Sequence, residues 1–86
     1  HALGNISAVD VKTMREPDLT EFLNLTLADE ESSIICSFDR FTYPRFKDEM
    51  WEAAQDNEVV VVRGIKADNF RKVYAQSFKR TGQILN

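Results

Sequence analysis

Few residues in this chain have the types and spacing that catalysis requires. The one cysteine, Cys36, lies in an apolar run without a neighbouring base, which predicts a buried and inert thiol. The one histidine is His1, so no interior histidine is present to act as a general base or to join a zinc site. The glycines Gly4, Gly64 and Gly82 stand alone, so the chain contains neither of the glycine-rich phosphate-binding motifs, GxxxxGK[ST] and GxGxxG. We therefore expect a non-catalytic protein without a metal or cofactor.

Carboxylates cluster at one place, in the run Asp29-Glu30-Glu31. A cation needs ligands that converge from several directions, whereas three successive acids point apart. This run therefore indicates an exposed turn between two strands rather than a metal site.

Charge divides the chain into two unequal parts. Residues 1–62 contain 5 Lys and Arg against 13 Asp and Glu, whereas residues 63–86 contain 6 Lys and Arg against Asp68 alone. The net charge of −3 thus hides an acidic body and a basic end. A basic segment suggests a polyanionic partner, but on charge alone a solvated strand rich in Lys and Arg is the simpler explanation.

Length and composition limit the class of protein. With 86 residues, 43% of them hydrophobic, the chain fits one folded domain, spanning residues 1–86. One cysteine excludes an internal disulfide framework, which favours a reducing, cytoplasmic setting. No apolar run approaches the roughly 20 residues of a membrane-spanning helix, and no signal segment opens the sequence. We expect no membrane association.

Hydrophobic periodicity predicts five strands and one helix. Alternating or continuous apolar residues predict strands over residues 4–14, 19–27, 34–38, 59–62 and 70–78. The side chains of Leu23, Leu25 and Leu27 are predicted to face the core, as are those of Ile34, Cys36 and Phe38. The last strand fits two facings, one burying Tyr74 and Phe78 and the other Val73 and Ala75.

Between the third and fourth strands the apolar spacing becomes three and four, which predicts a helix over residues 43–54. Trp51 falls on the apolar side of this helix and is predicted to be core. Gly64 follows a run of four valines and predicts a bulge or sharp bend. We expect Lys79 and Arg80 to be solvated, and residues 81–86 to form a linker or a truncated domain boundary.

The predicted order, with the helix between strands 3 and 4, is that of the OB-fold, an all-β five-stranded Greek-key barrel. Such barrels bind single-stranded nucleic acid or oligosaccharide on the face of strands 2 and 3, between the loops that join strands 1–2 and 4–5.

Three segments resemble the OB domains of bacterial DNA polymerase III alpha subunits. Residues 25–34 (LTLADEESSI) are similar to the family's LTLEDETGSI run, and residues 43–50 (YPRFKDEM) to the start of its helix. Residues 60–64 (VVVRG) resemble its VLVRG strand. The resemblance spans about residues 4–80. The chain departs from the family at three places. These are Ser32, where Gly is common, Asp39-Arg40, where Phe-Pro usually closes strand 3, and Asn24, where an aromatic or aliphatic residue is frequent.

The resemblance implies a non-catalytic, single-stranded DNA-binding module excised from a larger replicative DNA polymerase, monomeric as a fragment and in contact with other domains of its parent. In such a barrel, basic loops would contact phosphates and aromatic faces would stack on bases. The candidate binding residues are Lys12, Arg15, Phe22, Asn24, Lys66, Arg71, Lys72 and Tyr74. Phe22 is the first stacking candidate and Tyr74 the second. Each also has an alternative role without a ligand: Phe22 would cap the barrel mouth, and Tyr74 would form part of the barrel wall.

A second hypothesis is a protein–protein interaction module within a replication or repair assembly. It would use the same barrel face or an open strand edge at residues 59–62.

Overall fold

The structure is a computed structural model that describes residues 2–14, 20–28, 32–67 and 72–84. Its elements are β1 (Ala2–Met14), β2 (Thr20–Ala28), β3 (Ser33–Asp39), α1 (Tyr43–Asp56), β4 (Glu58–Lys66) and β5 (Lys72–Ile84). The order of strands and helix is the predicted one. The acidic run at residues 29–31 lies outside the described residues.

The five strands close into a barrel in the order β1-β2-β3-β5-β4, with β4 returning to β1. β3 and β5 pair in parallel, whereas the other neighbours pair antiparallel. A closed five-stranded barrel with one helix between its third and fourth strands is the OB-fold arrangement, so the predicted fold class is confirmed.

Barrel closure also removes the strand edge that was predicted as a docking surface. Val59, Val60, Val61 and Val62 pair with residues 2–5 of β1 on one side. Val60, Val61 and Val62 pair with β5 on the other side. The prediction of an open edge at residues 59–62 is therefore wrong, because their backbone groups face strands on both sides.

Alternation along β2 and β3 builds the core. Leu23, Leu25 and Leu27 are fully buried, as are Cys36 and Phe38 on the neighbouring strand. Fully burying one such side chain contributes about 1.5–3 kcal/mol. The intervening residues of both strands consequently point to the outside of the barrel.

Helix α1 packs against the barrel through a stripe of buried apolar side chains that is narrower than predicted. Met50 and Ala53 are buried, and the Phe46 ring lies between those of Phe38 and Phe78, with centroids 6.4 and 6.3 Å away. Trp51, predicted to be core, is instead 47% exposed. The reason is angular, because one residue along a helix turns the side chain by about 100°, which carries Trp51 off the stripe that ends in Met50 and Ala53.

The two facings predicted for the last strand are both used. Val73 and Ala75 face inward at its start, and Phe78 faces inward further on. Arg63 pairs with Ser77 and the next residue, Gly64, pairs with Ala75, so Gln76 is an extra residue on β5. This β-bulge switches the inward-facing set.

Gly64 makes the bulge possible, as predicted. A Cβ at this position would meet the carbonyl oxygen of Tyr74 and lie 2.8 Å from the Cα of Ala75. Only glycine allows the two strands to approach this closely.

Beyond the bulge, β5 continues to Ile84, so the prediction of a linker from residue 81 is wrong. Thr81 shows why, since its hydroxyl donates to the carbonyl oxygen of Val59 at 2.6 Å and ties this end of the strand to β4.

Arg80 was predicted to be solvated and is instead the centre of an ion-pair cluster. Its guanidinium lies 2.8 Å from Glu52, 3.1 Å from Asp56 and 2.8 Å from Glu58, and its side chain is 26% exposed. Glu52 and Asp56 belong to the end of α1, whereas Glu58 begins β4. The cluster therefore links the helix to the barrel.

No helix among the described residues has the length and apolar character that crossing a bilayer requires.

Candidate nucleic-acid interface

An open groove lies across the outer surface of β2, β3 and β5. It encloses about 540 Å³. Its lining residues are Glu21, Phe22, Ser37, Phe38, Asp39, Arg40, Phe41, Lys72, Tyr74 and Ala75. These come from three strands and from the turn between β3 and α1, so the groove depends on the closed barrel.

Strand register places the outward side chains of the groove in two rows. Phe22 lies opposite Asp39 in one row. In the next row Asn24 lies opposite Ser37, which in turn lies beside Tyr74. Phe22 and Tyr74 thus stand two strand spacings and one row apart, which corresponds to roughly 12 Å between their Cα atoms.

Tyr74 is the most accessible aromatic side chain on the strands of the groove. It is 53% exposed, because its neighbours Val73 and Ala75 take the inward positions. The Nζ atom of Lys72 lies 5.3 Å from the centroid of its ring, within cation–π range. The pair combines a flat apolar face with a positive charge at one edge of the groove.

Asn24 and Ser37 form a polar contact beside Tyr74. The Ser37 hydroxyl donates to Oδ1 of Asn24 at 2.8 Å. Because this bond uses the amide oxygen, the Nδ2 group is the part of Asn24 that would donate to a ligand.

The turn after β3 contributes an aromatic residue that sequence reasoning missed. Phe41 is 72% exposed, and the guanidinium carbon of Arg40 lies 4.6 Å from the centroid of its ring. Asp39 shapes this turn, since its Oδ1 accepts from the backbone N–H groups of Phe41 at 3.0 Å and Thr42 at 2.8 Å. Hydrogen bonding to Thr42 and Phe41 lowers the pKa of Asp39 and keeps it ionised.

Charge in the groove is balanced. Arg40 and Lys72 are offset by Glu21 and Asp39 among the lining residues. Glu21 accepts a hydrogen bond from the Tyr43 hydroxyl at 3.0 Å, which raises the pKa of Tyr43. The groove is therefore suited to flat, uncharged groups more than to a high density of phosphate.

The predicted site residues are only partly brought together. Phe22, Lys72 and Tyr74 line the groove, and Asn24 touches it through Ser37. Lys12 stands opposite Phe22 on β1, and Lys66 ends β4 opposite Val73. Both lysines are exposed, but neither is among the lining residues. Arg15 and Arg71 lie outside the described residues.

The sequence signal for Arg40 and Phe41 was an adjacent basic and aromatic pair at the predicted end of strand 3. Arg40 belongs to one of the positions at which the chain departs from the family pattern, and neither residue of the pair was assigned a role.

Cys36 is buried, as predicted, and burial raises the pKa of its thiol to about 11. At neutral pH the thiol is therefore protonated and a poor nucleophile. Within the part of the chain that the structure describes, no group of three His, Cys, Asp or Glu side chains is placed to hold a metal ion.

Comparisons of the chain with protein-family models, with curated proteins and with solved structures gave no significant match.

Proposed function

We propose that this barrel is a non-catalytic module that binds single-stranded nucleic acid, with bases stacking in the groove across β2, β3 and β5. The observation that carries the proposal is the half-exposed ring of Tyr74 with the Lys72 ammonium at its edge, in the same groove as Phe22. Single-strand binding needs aromatic faces for bases and nearby cations for the backbone.

The arrangement of aromatic side chains supports this assignment. Phe22, Tyr74 and Phe41 belong to β2, β5 and the turn after β3, so they present separate faces around one groove. Stacking on an aromatic side chain is tolerant of sequence, because every base has a flat face. We therefore expect little base preference, with Asn24 as the residue best placed to introduce one.

The segments that resemble DNA polymerase III alpha subunits support DNA as the partner, and a replicative polymerase as the parent protein. Among the described residues, 25–28 form the last part of β2, 33–34 begin β3, and 60–64 form the part of β4 that ends at the bulge. Both segments belong to the barrel that holds the groove, although none of their residues lines it, whereas Asp39 and Arg40, where the chain departs from the family, are lining residues.

A titration of labelled oligo-dT of about 15 nucleotides, near the upper end of an OB-fold site, tests the proposal. We expect saturable binding in about 50 mM salt that weakens in about 200 mM salt, because phosphate contacts release counterions. A duplex of the same length is the control and should bind more weakly, because its bases are already stacked. Absence of oligo-dT binding at the lower salt concentration would contradict the proposal.

A second candidate function is protein–protein interaction through the same face. Ile35, Ile65 and Phe41 are exposed apolar residues in or beside the groove, and its charge is balanced. This candidate predicts association that is insensitive to salt and that oligo-dT does not compete for. The same titration therefore separates the two functions.

A further inference from the structure

The outer surface of the β4–β5 hairpin carries most of the unneutralised positive charge of the described strands. Besides Arg80, these strands carry four exposed or half-exposed cations: Arg63, Lys66, Lys72 and Lys79. The one carboxylate on β4 and β5 is Glu58, which is buried and paired with Arg80.

The positive charge of Arg80, in contrast, is neutralised by ion pairs. Arg80 binds three carboxylates, whereas Arg63, Lys66 and Lys79 form no ion pair with any residue that the structure describes. Cations without acidic partners keep their full attraction for an anionic ligand.

Arg63 and Lys79 border a second depression, on the part of the hairpin beyond the bulge. It encloses about 610 Å³, and Val61, Ser77 and Thr81 also line it. Arg63 pairs with Ser77, and Val61 pairs with Lys79, so the two cations are diagonal neighbours on one face. Ser77 lies directly opposite Arg63 and two residues before Lys79, and its hydroxyl adds a donor suited to a phosphate oxygen.

The two depressions share one strand. Lys72 and Tyr74 line the first, at the start of β5, and Ser77 and Lys79 line the second. Lys79 follows Lys72 by seven positions, which is roughly 23 Å along an extended strand. A chain that enters the groove can therefore follow β5 to the second depression.

We propose that a single strand whose bases stack in the groove continues along β5, and that Arg63, Ser77 and Lys79 bind its backbone phosphates. This inference rests on the proposed function and deepens it, since it assigns base stacking and charge neutralisation to different ends of one strand. Because the charge of the groove is balanced, a second, cationic site is needed to neutralise the backbone phosphates of the strand. Continuity with the aromatic groove favours a nucleic acid over an acidic polypeptide.

The experiment compares oligo-dT of about 4 and about 15 nucleotides, the two ends of the OB-fold range, on the whole chain. In the double variant Arg63→Gln/Lys79→Gln, affinity for the longer oligonucleotide should fall about tenfold in low salt. Its salt slope should fall by about 1.4, because each lost single-strand phosphate contact removes about 0.7. Affinity for the shorter oligonucleotide should change less than about twofold. Matched thermal unfolding curves for variant and wild type verify that the fold is retained.

The matched control is Arg45→Gln/Lys47→Gln, which removes the same charge from the exposed face of α1. The inference is overturned if both double variants weaken the longer oligonucleotide equally, or if Arg63→Gln/Lys79→Gln weakens both lengths equally or neither. It is also overturned if poly-glutamate at equal charge concentration competes as well as oligo-dT. If wild type binds neither length, the proposed function fails as well, whereas wild-type binding combined with an equal loss for both lengths, or no loss for either, in Arg63→Gln/Lys79→Gln overturns this inference alone.

Discussion

The ammonium group of Lys72 lies 5.3 Å from the centre of the Tyr74 ring, on two outward positions of β5 that are separated by the buried Val73. The pair exists because β5 alternates strictly until its bulge. It places a cation and an exposed aromatic face together at the edge of the groove, and the predicted binding behaviour follows from it.

Replacing Tyr74 by alanine should weaken oligo-dT binding by about 1–3 kcal/mol, the loss of one stacked base, which is roughly a 5- to 150-fold rise in Kd. Tyr74→Phe keeps the ring and should remain within about threefold of wild type. Fluorescence anisotropy measures both values. Equal losses for Tyr74→Ala and Tyr74→Phe would assign the effect to the hydroxyl and contradict stacking.

Replacing Gly64 by alanine should destabilise the barrel by about 1–3 kcal/mol, because the added methyl group meets the backbone of Tyr74 and Ala75. A loss of this size lowers Tm by at least roughly 4 °C in a domain of this length. The comparison variant is Gly82→Ala, which meets open space and bears only the cost of a φ of 81°. Thermal unfolding by circular dichroism should rank Gly64→Ala as the less stable, and the reverse order would contradict the close approach at the bulge.

Stability should fall in acid through the ion pair between Glu58 and Arg80. Hydrogen bonds from Arg80 lower the pKa of Glu58 below its ordinary value of 4.5, and the carboxylates raise the pKa of Arg80. Because the folded-state pKa of Glu58 is the lower one, its stabilisation is present above pH 4.5 and is lost as the pH falls through the folded-state value.

The variant Glu58→Gln should therefore unfold at a lower temperature near neutral pH and show a smaller further loss of Tm on acidification. Glu49→Gln changes an exposed acid of α1 and should keep the wild-type pH profile. Identical profiles for Glu58→Gln and wild type would show that this ion pair does not govern acid stability.

Cys36 should react with a thiol reagent such as DTNB only when the barrel opens. Burial raises the pKa of the thiol to about 11, so the folded protein holds it protonated and shielded near pH 8. Labelling should be slow in native buffer and complete, at one equivalent, in guanidinium chloride. Rapid native labelling would contradict the buried position inside β3.

Unfolding at alkaline pH tests Cys36 a second way, through the stability that is lost when its thiol ionises. The folded-state pKa of Cys36 lies above its ordinary value of 9.0, so its contribution to stability is present below pH 9 and is lost between about pH 9 and 11. Cys36→Ser lacks this titration, so its unfolding curve should lose less stability over that interval than wild type does.

The strand order and the core of β2 and β3 were predictable because they depend on local alternation, as at Leu23 and Cys36. The facing of β5 was not, because the bulge depends on the contact between Gly64 and the backbone of a distant strand. Trp51 was misassigned for a related reason. Apolar spacing locates a helical face to within about one residue, and one residue is 100° of rotation.

The candidate site likewise contains residues whose positions follow from local sequence pattern and residues whose positions depend on contacts made by the fold. The outward position of Phe22 was predictable from strand alternation, whereas that of Tyr74 was not, because the two facings of β5 could not be separated in sequence. The exposure of Phe41 was not predictable either, because it depends on two backbone hydrogen bonds to Asp39. Arg80 was indistinguishable from Lys79 in sequence, since its carboxylate partners on α1 and β4 are brought near only by the fold.

The most direct test of the central claim is a titration of ¹⁵N-labelled protein with oligo-dT, followed by amide chemical shifts. Binding in the groove predicts the largest shifts at Phe22, Ser37, Phe41 and Tyr74, with the indole N–H of Trp51 on α1 unchanged. An absence of shifts at saturating oligonucleotide, or shifts confined to α1, would contradict the account.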